Sequence, residues 1–189
     1  MSNTISYSCR YYSNNNGKRR MTIRQIVTLP DPVLRRKARP VTRFDADLQI
    51  LVNGMIDTMR AAPGVGLAAP QVGVSERVIV VEYVEDEEED DAPKKLYVMV
   101  NPEIKKSSEA TEQGIEGCLS VPGWQGEVER AMEVTVKGLT RRGQPMKVKA
   151  KGWMARIFQH EIDHLNGVVF TDLATKVWKP KPEEPQLDV

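Results

Sequence analysis

Between Asp45 and Ala61 the apolar residues Leu48, Leu51, Val52, Met55, Ile56 and Met59 recur at intervals of three and four. A helix turning about 100° per residue gathers them into one stripe, so this segment predicts an amphipathic helix facing a core. Arg77 to Val84 and Leu96 to Val100 are β-branched runs and predict strands. Further on, Val134, Val136 and Val148 alternate with polar residues, which predicts a strand pair over Val128 to Lys137 and Pro145 to Lys151 around the Arg142-Gly143 turn. Trp153 to Leu165 predicts the last helix, opened after Gly152 and closed at Asn166-Gly167, where glycine can take the left-handed conformation that ends helices. Pro30-Asp31-Pro32 marks a turn before a short basic helix. No internal repeat is visible, and the sheet these strands build is mixed or antiparallel.

Composition adds limits to this picture. With 189 residues and 40% hydrophobic content, the chain can bury one sizeable core and reads as a single globular domain. A formal net charge of +1 gives no global field toward nucleic acid or a membrane surface. No run approaches the roughly 20 apolar residues of a membrane span. Cys9 and Cys118 are too few for a disulfide framework and fit a reducing compartment.

Three polar segments stand apart. Residues 1–20 lack Asp and Glu, are rich in Ser, Asn and Tyr, and end in Lys18-Arg19-Arg20 before Met21; they read as a disordered extension, with Arg10 the only basic residue before Lys18 to suggest a transit segment. The ordered domain is expected over 21–176, followed by a polar, proline-rich tail over 177–189. The seven like charges of Glu85 to Asp91 read as a solvated, extended connection between two strands and carry no assigned chemistry.

The last helix contains His160-Glu161-Ile162-Asp163-His164, with the only two histidines of the chain. Positions four apart stand one above the other, so both imidazoles can reach one cation, and Glu161 lies to the side where it can take a proton from water activated there. A chance match on a solvated helix is the bland alternative, but Trp153, Ile157, Phe158 and Leu165 embed the segment in a core, where two histidines need partners. A catalytic ion of this kind takes three protein ligands and keeps one open position. Downstream, Glu183 and Glu184 sit in a proline-interrupted run that cannot form a helix. Upstream, Cys118 lies in a turn constrained by Gly117 and Pro122, and is the better third ligand. Gly64-Val65-Gly66-Leu67-Ala68-Ala69-Pro70-Gln71 keeps its backbone bare, so that a peptide could approach closely, or else forms a tight connection between helix and strand.

Taken together, the segments Gly64 to Gln71, Glu116 to Ser120 and Gln159 to His164 resemble, in order, the three motifs of the peptide deformylase family. The resemblance spans Met21 to about Leu173. It implies an α+β fold with mixed or antiparallel sheets packed around a central C-terminal helix carrying HExxH. It also implies a hydrolase that removes the formyl group from N-terminal formyl-methionine of nascent polypeptides and releases formate, acting as a monomer at the ribosome exit. Nucleic-acid sequence recognition and a membrane role are not expected. Cys118, His160 and His164 would bind one metal ion, typically Fe2+, with Zn2+ or another divalent ion able to replace it. Glu161 would be the general base and then the acid; Gln71 and the backbone N–H of Leu119 would donate to the developing oxyanion. Gly66 would pair with the substrate backbone, while Val65, Glu116, Arg156 and Ile157 would surround the methionine side chain. A bacterial cytoplasm is the expected location, or a plastid or mitochondrion if residues 1–20 are a transit segment. The main alternative is a zinc endopeptidase of the HExxH type; a closed structural metal site is a second.

Overall fold

The computed structural model describes residues 22–84 and 94–181. The expectations for residues 1–20, for the acidic run and for the tail beyond residue 181 lie outside these. In chain order the elements are α1 (Ala46–Ala61), β1 (Gly66–Ala68), β2 (Val78–Val84), β3 (Lys94–Ser107), β4 (Thr111–Gly117), β5 (Gln125–Ala131), β6 (Glu133–Leu139), β7 (Pro145–Lys151), α2 (Gly152–Leu165), α3 (Phe170–Leu173) and β8 (Lys176–Trp178). Single 3-10 turns occur at Pro32–Arg35 and Ala69–Val72.

The strands form two sheets, one of order β1-β2-β3-β6-β7 and one of order β4-β5-β8. Every named pairing is antiparallel. Successive side chains of a strand point to opposite faces, and the larger sheet uses both. Val78, Val80 and Val100 meet the Leu48–Met59 stripe of α1 on one face. Ile79, Val81, Tyr97, Met99, Val134, Val136 and Val148 meet Ile157, Phe158, Ile162 and Leu165 of α2 on the other. The smaller sheet closes over the far side of α2, so residues 154–162 are buried without interruption. A helix buried all round is a core helix, and the fold is α+β around it.

Local chemistry sets the helix ends. Asp45 caps α1 by accepting a hydrogen bond from Leu48 N, and Ala62 turns extended, ψ 140°, as Pro63 requires of the residue before it. After α2, Gly167 takes φ +79°.

Two expectations change. The single strand expected over Val128 to Lys137 is two strands in different sheets, broken at Met132, whose N–H donates to Ala110 O. The inward positions 128, 130, 134 and 136 keep the same parity across the break, so alternation alone could not reveal it. The fold also continues past Lys176, because Lys176–Trp178 pairs with Glu127, Gly126 and Gln125. Among the described residues no helix is long and apolar enough to cross a membrane.

Candidate metal centre

One turn apart on α2, the rings of His160 and His164 lie 4.9 Å apart between centroids. Cys118 leaves the end of β4 in a turn closed by Val121 N donating to Cys118 O. Its sulfur is 3.2 Å from His164 Nε2 and accepts from Ser120 N at 3.4 Å. Cys118, His160 and His164 are all buried, and one ligand atom from each lies within 4.8 Å of the others. Two donors bonded to one ion at about 2.0–2.3 Å are separated by at most roughly 4.6 Å, so the three atoms need only a small adjustment to share an ion.

Unpaired polar atoms test whether an ion fits. His160 Nε2 and both Glu161 carboxylate oxygens are buried with no hydrogen-bond partner among the described residues, and such groups are rare unless something else satisfies them. A thiolate with two imidazoles suits Fe(II) or Zn(II) better than Mg(II) or Ca(II). The residues therefore fit a divalent transition metal.

Behind His160 lies a buried charge network. Its Nδ1 is 2.9 Å from Glu116 Oε2, which directs Nε2 toward the ligand atoms of Cys118 and His164. Glu116 also accepts from Arg130 Nε at 2.8 Å, Arg130 Nη2 at 3.0 Å and Arg156 Nη1 at 3.0 Å. Arg130 reaches on to Asp163, and Arg156 donates to Val128 O and Glu112 O. Gly114 makes room for that guanidinium, since a Cβ there would lie 2.6 Å from Arg156 Cζ. Glu116 and Arg156, expected beside a methionine side chain, thus turn their charged ends to each other, and Glu116 also to His160. Only their stems are left for a substrate.

Burial favours the neutral form of each group, and the neighbours decide the outcome. Burial alone would raise Glu116, but hydrogen bonds from His160 and Arg130 hold it well below the usual carboxylate range. His160 is lowered by burial yet driven well above its ordinary value by Cys118 and Glu116, whereas burial and the neighbouring His160 push His164 well below. Burial carries the Glu161 carboxyl up to about 7.

Glu161 lies against β1, where a Cβ on Gly66 would come within 2.4 Å of its Oε1. Residue 66 must be bare for the protein's own carboxylate, a reason the sequence did not supply. Gln71 accepts from Ala68 N at 2.8 Å, which points its amide nitrogen to Cys118 Sγ at 3.5 Å. Leu119 follows the cysteine and packs toward the α1 side of the core. Val65 packs against the cluster that contains Ile157. A cavity of about 400 Å³ beside Asp45, Leu48 and Val74 shares no residue with this centre.

Three residues without a sequence assignment belong here. Arg130 and Asp163 complete the network, and Gln159 clamps the end of β5 by accepting from Ala131 N and donating to Ala131 O. Arg130 had a signal: a charged residue at an inward strand position must be paired.

Comparison with known proteins agrees with this geometry. The sequence profile of the polypeptide deformylase family matches residues 23–179. A peptide deformylase from Natranaerobius thermophilus is 49% identical over 84% of this chain and 97% of its own. The crystal structure of a peptide deformylase from Legionella pneumophila superposes with a TM-score of 0.73 at 50% identity, covering 81% of this chain and 86% of that one. A Met-Ala-Ser-bound structure of a class I type b peptide deformylase from Acinetobacter baumannii gives a TM-score of 0.73 at 42% identity, covering 80% and 98%. The zinc endopeptidase alternative finds no support in these matches. The chain belongs to the polypeptide deformylase family.

Proposed function

We propose that Cys118, His160 and His164 hold one ion, ferrous in the cell with zinc or another divalent metal able to replace it, and that the chain deformylates nascent polypeptides as they leave the ribosome. It would do so as a monomer in a bacterial cytoplasm, or in a plastid or mitochondrion if residues 1–20 direct it there. The observation that carries the reading is the closeness of the three ligand atoms beside a buried carboxylate with no hydrogen-bond partner among the described residues.

A bound divalent ion supplies Lewis acidity, making water more acidic and the formyl carbonyl more electrophilic. Glu161, buried beside the three ligand residues with no hydrogen-bond partner among the described residues, is placed both to accept and to return a proton. It takes the proton of the attacking water and hands it to the departing amine, so that formate and a free N-terminus leave. Gln71, its amide fixed by the bond from Ala68 N, donates through Nε2 to the oxygen that gains charge, joined by the N–H of Leu119. Losing one such donor costs about two to three orders of magnitude in rate. Gly66 lies on β1, at the edge of the larger sheet, where an extended peptide adds by main-chain bonds. Val65 and Ile157, with the stems of Glu116 and Arg156, would receive the methionine side chain.

The test is formate release from formyl-Met-Ala-Ser with metal content measured on the same sample. Cys118→Ala should lose the ion, and Glu161→Ala should keep it and lose activity. A metal-loaded protein that gives no formate, and behaves identically as Glu161→Ala, would end the proposal. If the native ion is iron, activity should decay in air as the Cys118 sulfur is oxidised; indefinite stability of the iron form in aerated buffer would contradict that.

A further inference from the structure

The two donors assigned to the developing oxyanion come from distant parts of the chain. Gln71 sits on the Ala69–Val72 turn, and Cys118, the residue before Leu119, lies 47 positions beyond it. Each piece has bonds of its own. Gly73 N donates to Pro70 O and Val74 N to Ala69 O in the first, and Val121 N donates to Cys118 O in the second. Those bonds set the shape of each turn but not the distance between them. Gln71 Nε2 does reach Cys118 Sγ, but at 3.5 Å, and a cysteine sulfur is a weak acceptor.

A third segment spans the gap. Residues 22–28 form neither helix nor strand, and their main-chain N–H groups donate to other parts of the molecule. Thr22 N donates to Asp57 Oδ2 at 3.0 Å and Arg24 N to Thr58 Oγ1 at 2.8 Å, which lays the segment along α1. Val27 N then donates to Gln71 O at 2.9 Å, and Leu29 N to Ser120 O at 3.0 Å. Positions two apart on a chain are separated by at most about 7 Å, so these N–H groups hold the Gln71 and Ser120 carbonyls on one short tether. Gln71 is fully buried, and its carbonyl, cut off from water, needs a donor from the protein. Leu29 adds a side chain packed against Cys118, Val121 and Phe170.

We propose that Val27 and Leu29 are positioning residues, whose N–H groups fix the separation of Gln71 Nε2 from the Leu119 N–H and thereby the fit of both donors to the oxygen that gains charge. The inference rests on the oxyanion roles given under the proposed function. Each residue acts through a main-chain carbonyl, that of Gln71 itself or that of the neighbour of Leu119. The Gln71 amide follows its own backbone, because Ala68 N holds its Oε1 at 2.8 Å. Two donors that must both lie about 3 Å from one oxygen tolerate little drift, and a misplacement of about 1 Å can cost on the order of a hundredfold in rate.

The test replaces Val27, and separately Leu29, with the α-hydroxy acid of the same side chain in the full, metal-loaded protein, so that an ester oxygen takes the place of one N–H. Each ester should lower kcat for formyl-Met-Ala-Ser by about ten- to a hundredfold and leave KM unchanged, because the donors act as charge develops and not before. Metal content should equal that of the parent. In a Gln71→Ala background the Val27 ester should change kcat by no more than about twofold, since the donor it positions is gone. Thr58→Ala removes the acceptor of Arg24 N and loosens the same segment where it crosses α1; it should lower the melting temperature and leave kcat unchanged. The inference is overturned if the Val27 ester lowers kcat equally with and without Gln71, if Thr58→Ala lowers kcat as much as the esters do, or if lost activity follows lost metal. Failure of both esters to fold would show that these bonds hold the fold rather than the donors, and would overturn it as well. A parent that releases no formate would sink the proposed function and this inference with it, whereas an additive ester effect in an active parent sinks the inference alone.

Discussion

Glu116 is fully buried, and its single negative charge is shared by Arg130, Arg156 and His160. Removing one member of such a set leaves the others charged and dry, which is costlier than never having buried them. Glu116→Gln should destabilise the protein by about 3–5 kcal/mol and weaken metal binding about 10- to 100-fold through the loosened His160. Thermal unfolding and competition with a chelator measure the two effects, and unchanged metal affinity would remove Glu116 from its proposed orienting role. Glu161 makes a prediction of opposite character. In metal-free protein its carboxyl is raised to about 7, so the protonated form stabilises the fold fully below the ordinary carboxylate range. That contribution is lost as pH rises through about 7. Metal-free Glu161→Gln should therefore exceed the parent only slightly at pH 5 and by up to about 3 kcal/mol at pH 8; denaturant titrations giving the same difference at both pH values would exclude this origin. The ligands were legible in the sequence because the spacing of His160 and His164 is itself a geometry. The partners of Glu116 were not, since they lie 14 to 44 residues away and only folding brings them together.

Elements were most readable where one stripe meets one core. The α1 stripe is buried as its periodicity requires, and its start at Asp45 is a side-chain cap that sequence can announce. Asp45→Ala should cost about 1 kcal/mol, read as a lower urea midpoint with an unchanged slope; no loss would mean that Arg43 or packing, rather than the cap, holds the first turn. The larger sheet posed a harder problem. The alternation of Val128, Arg130, Val134 and Val136 passes through Met132 without change of phase, and no glycine or proline marks the break. What divides β5 from β6 is the choice of partner, β4 and β8 for one, β3 and β7 for the other. Strand β8 was hidden differently: three residues within a polar, proline-rich stretch carry too little pattern to compete with their surroundings. Their pairing with β5 decides the matter.

For the whole molecule, the centre joins parts that are otherwise distinct. Cys118 follows β4 of the smaller sheet, while His160 and His164 ride on the helix packed against the larger one. An ion held by all three stabilises the assembled state by mass action, about 2.7 kcal/mol at a hundredfold excess over its dissociation constant. Because His160 is driven toward its protonated form by Cys118 and Glu116 against the effect of burial, the ion must displace a proton to bind, and its hold must weaken in acid. Adding Zn2+ to stripped protein should raise the melting temperature more at pH 8 than at pH 6, with proton release detectable by calorimetry. An increment independent of pH would mean that the imidazoles are already neutral. The three-motif pattern foretold which residues meet, and packing then determined how tightly the two sheets hold them.

The sulfur ligand precedes both imidazoles by more than forty positions, and the imidazoles belong to the last long helix of the described chain. A polypeptide interrupted between Cys118 and His160 carries that thiol with neither imidazole to share an ion with. Each copy therefore becomes competent only late in its own synthesis, after α2 has been made and has slid between its two sheets, and its earlier portions must mature without that activity.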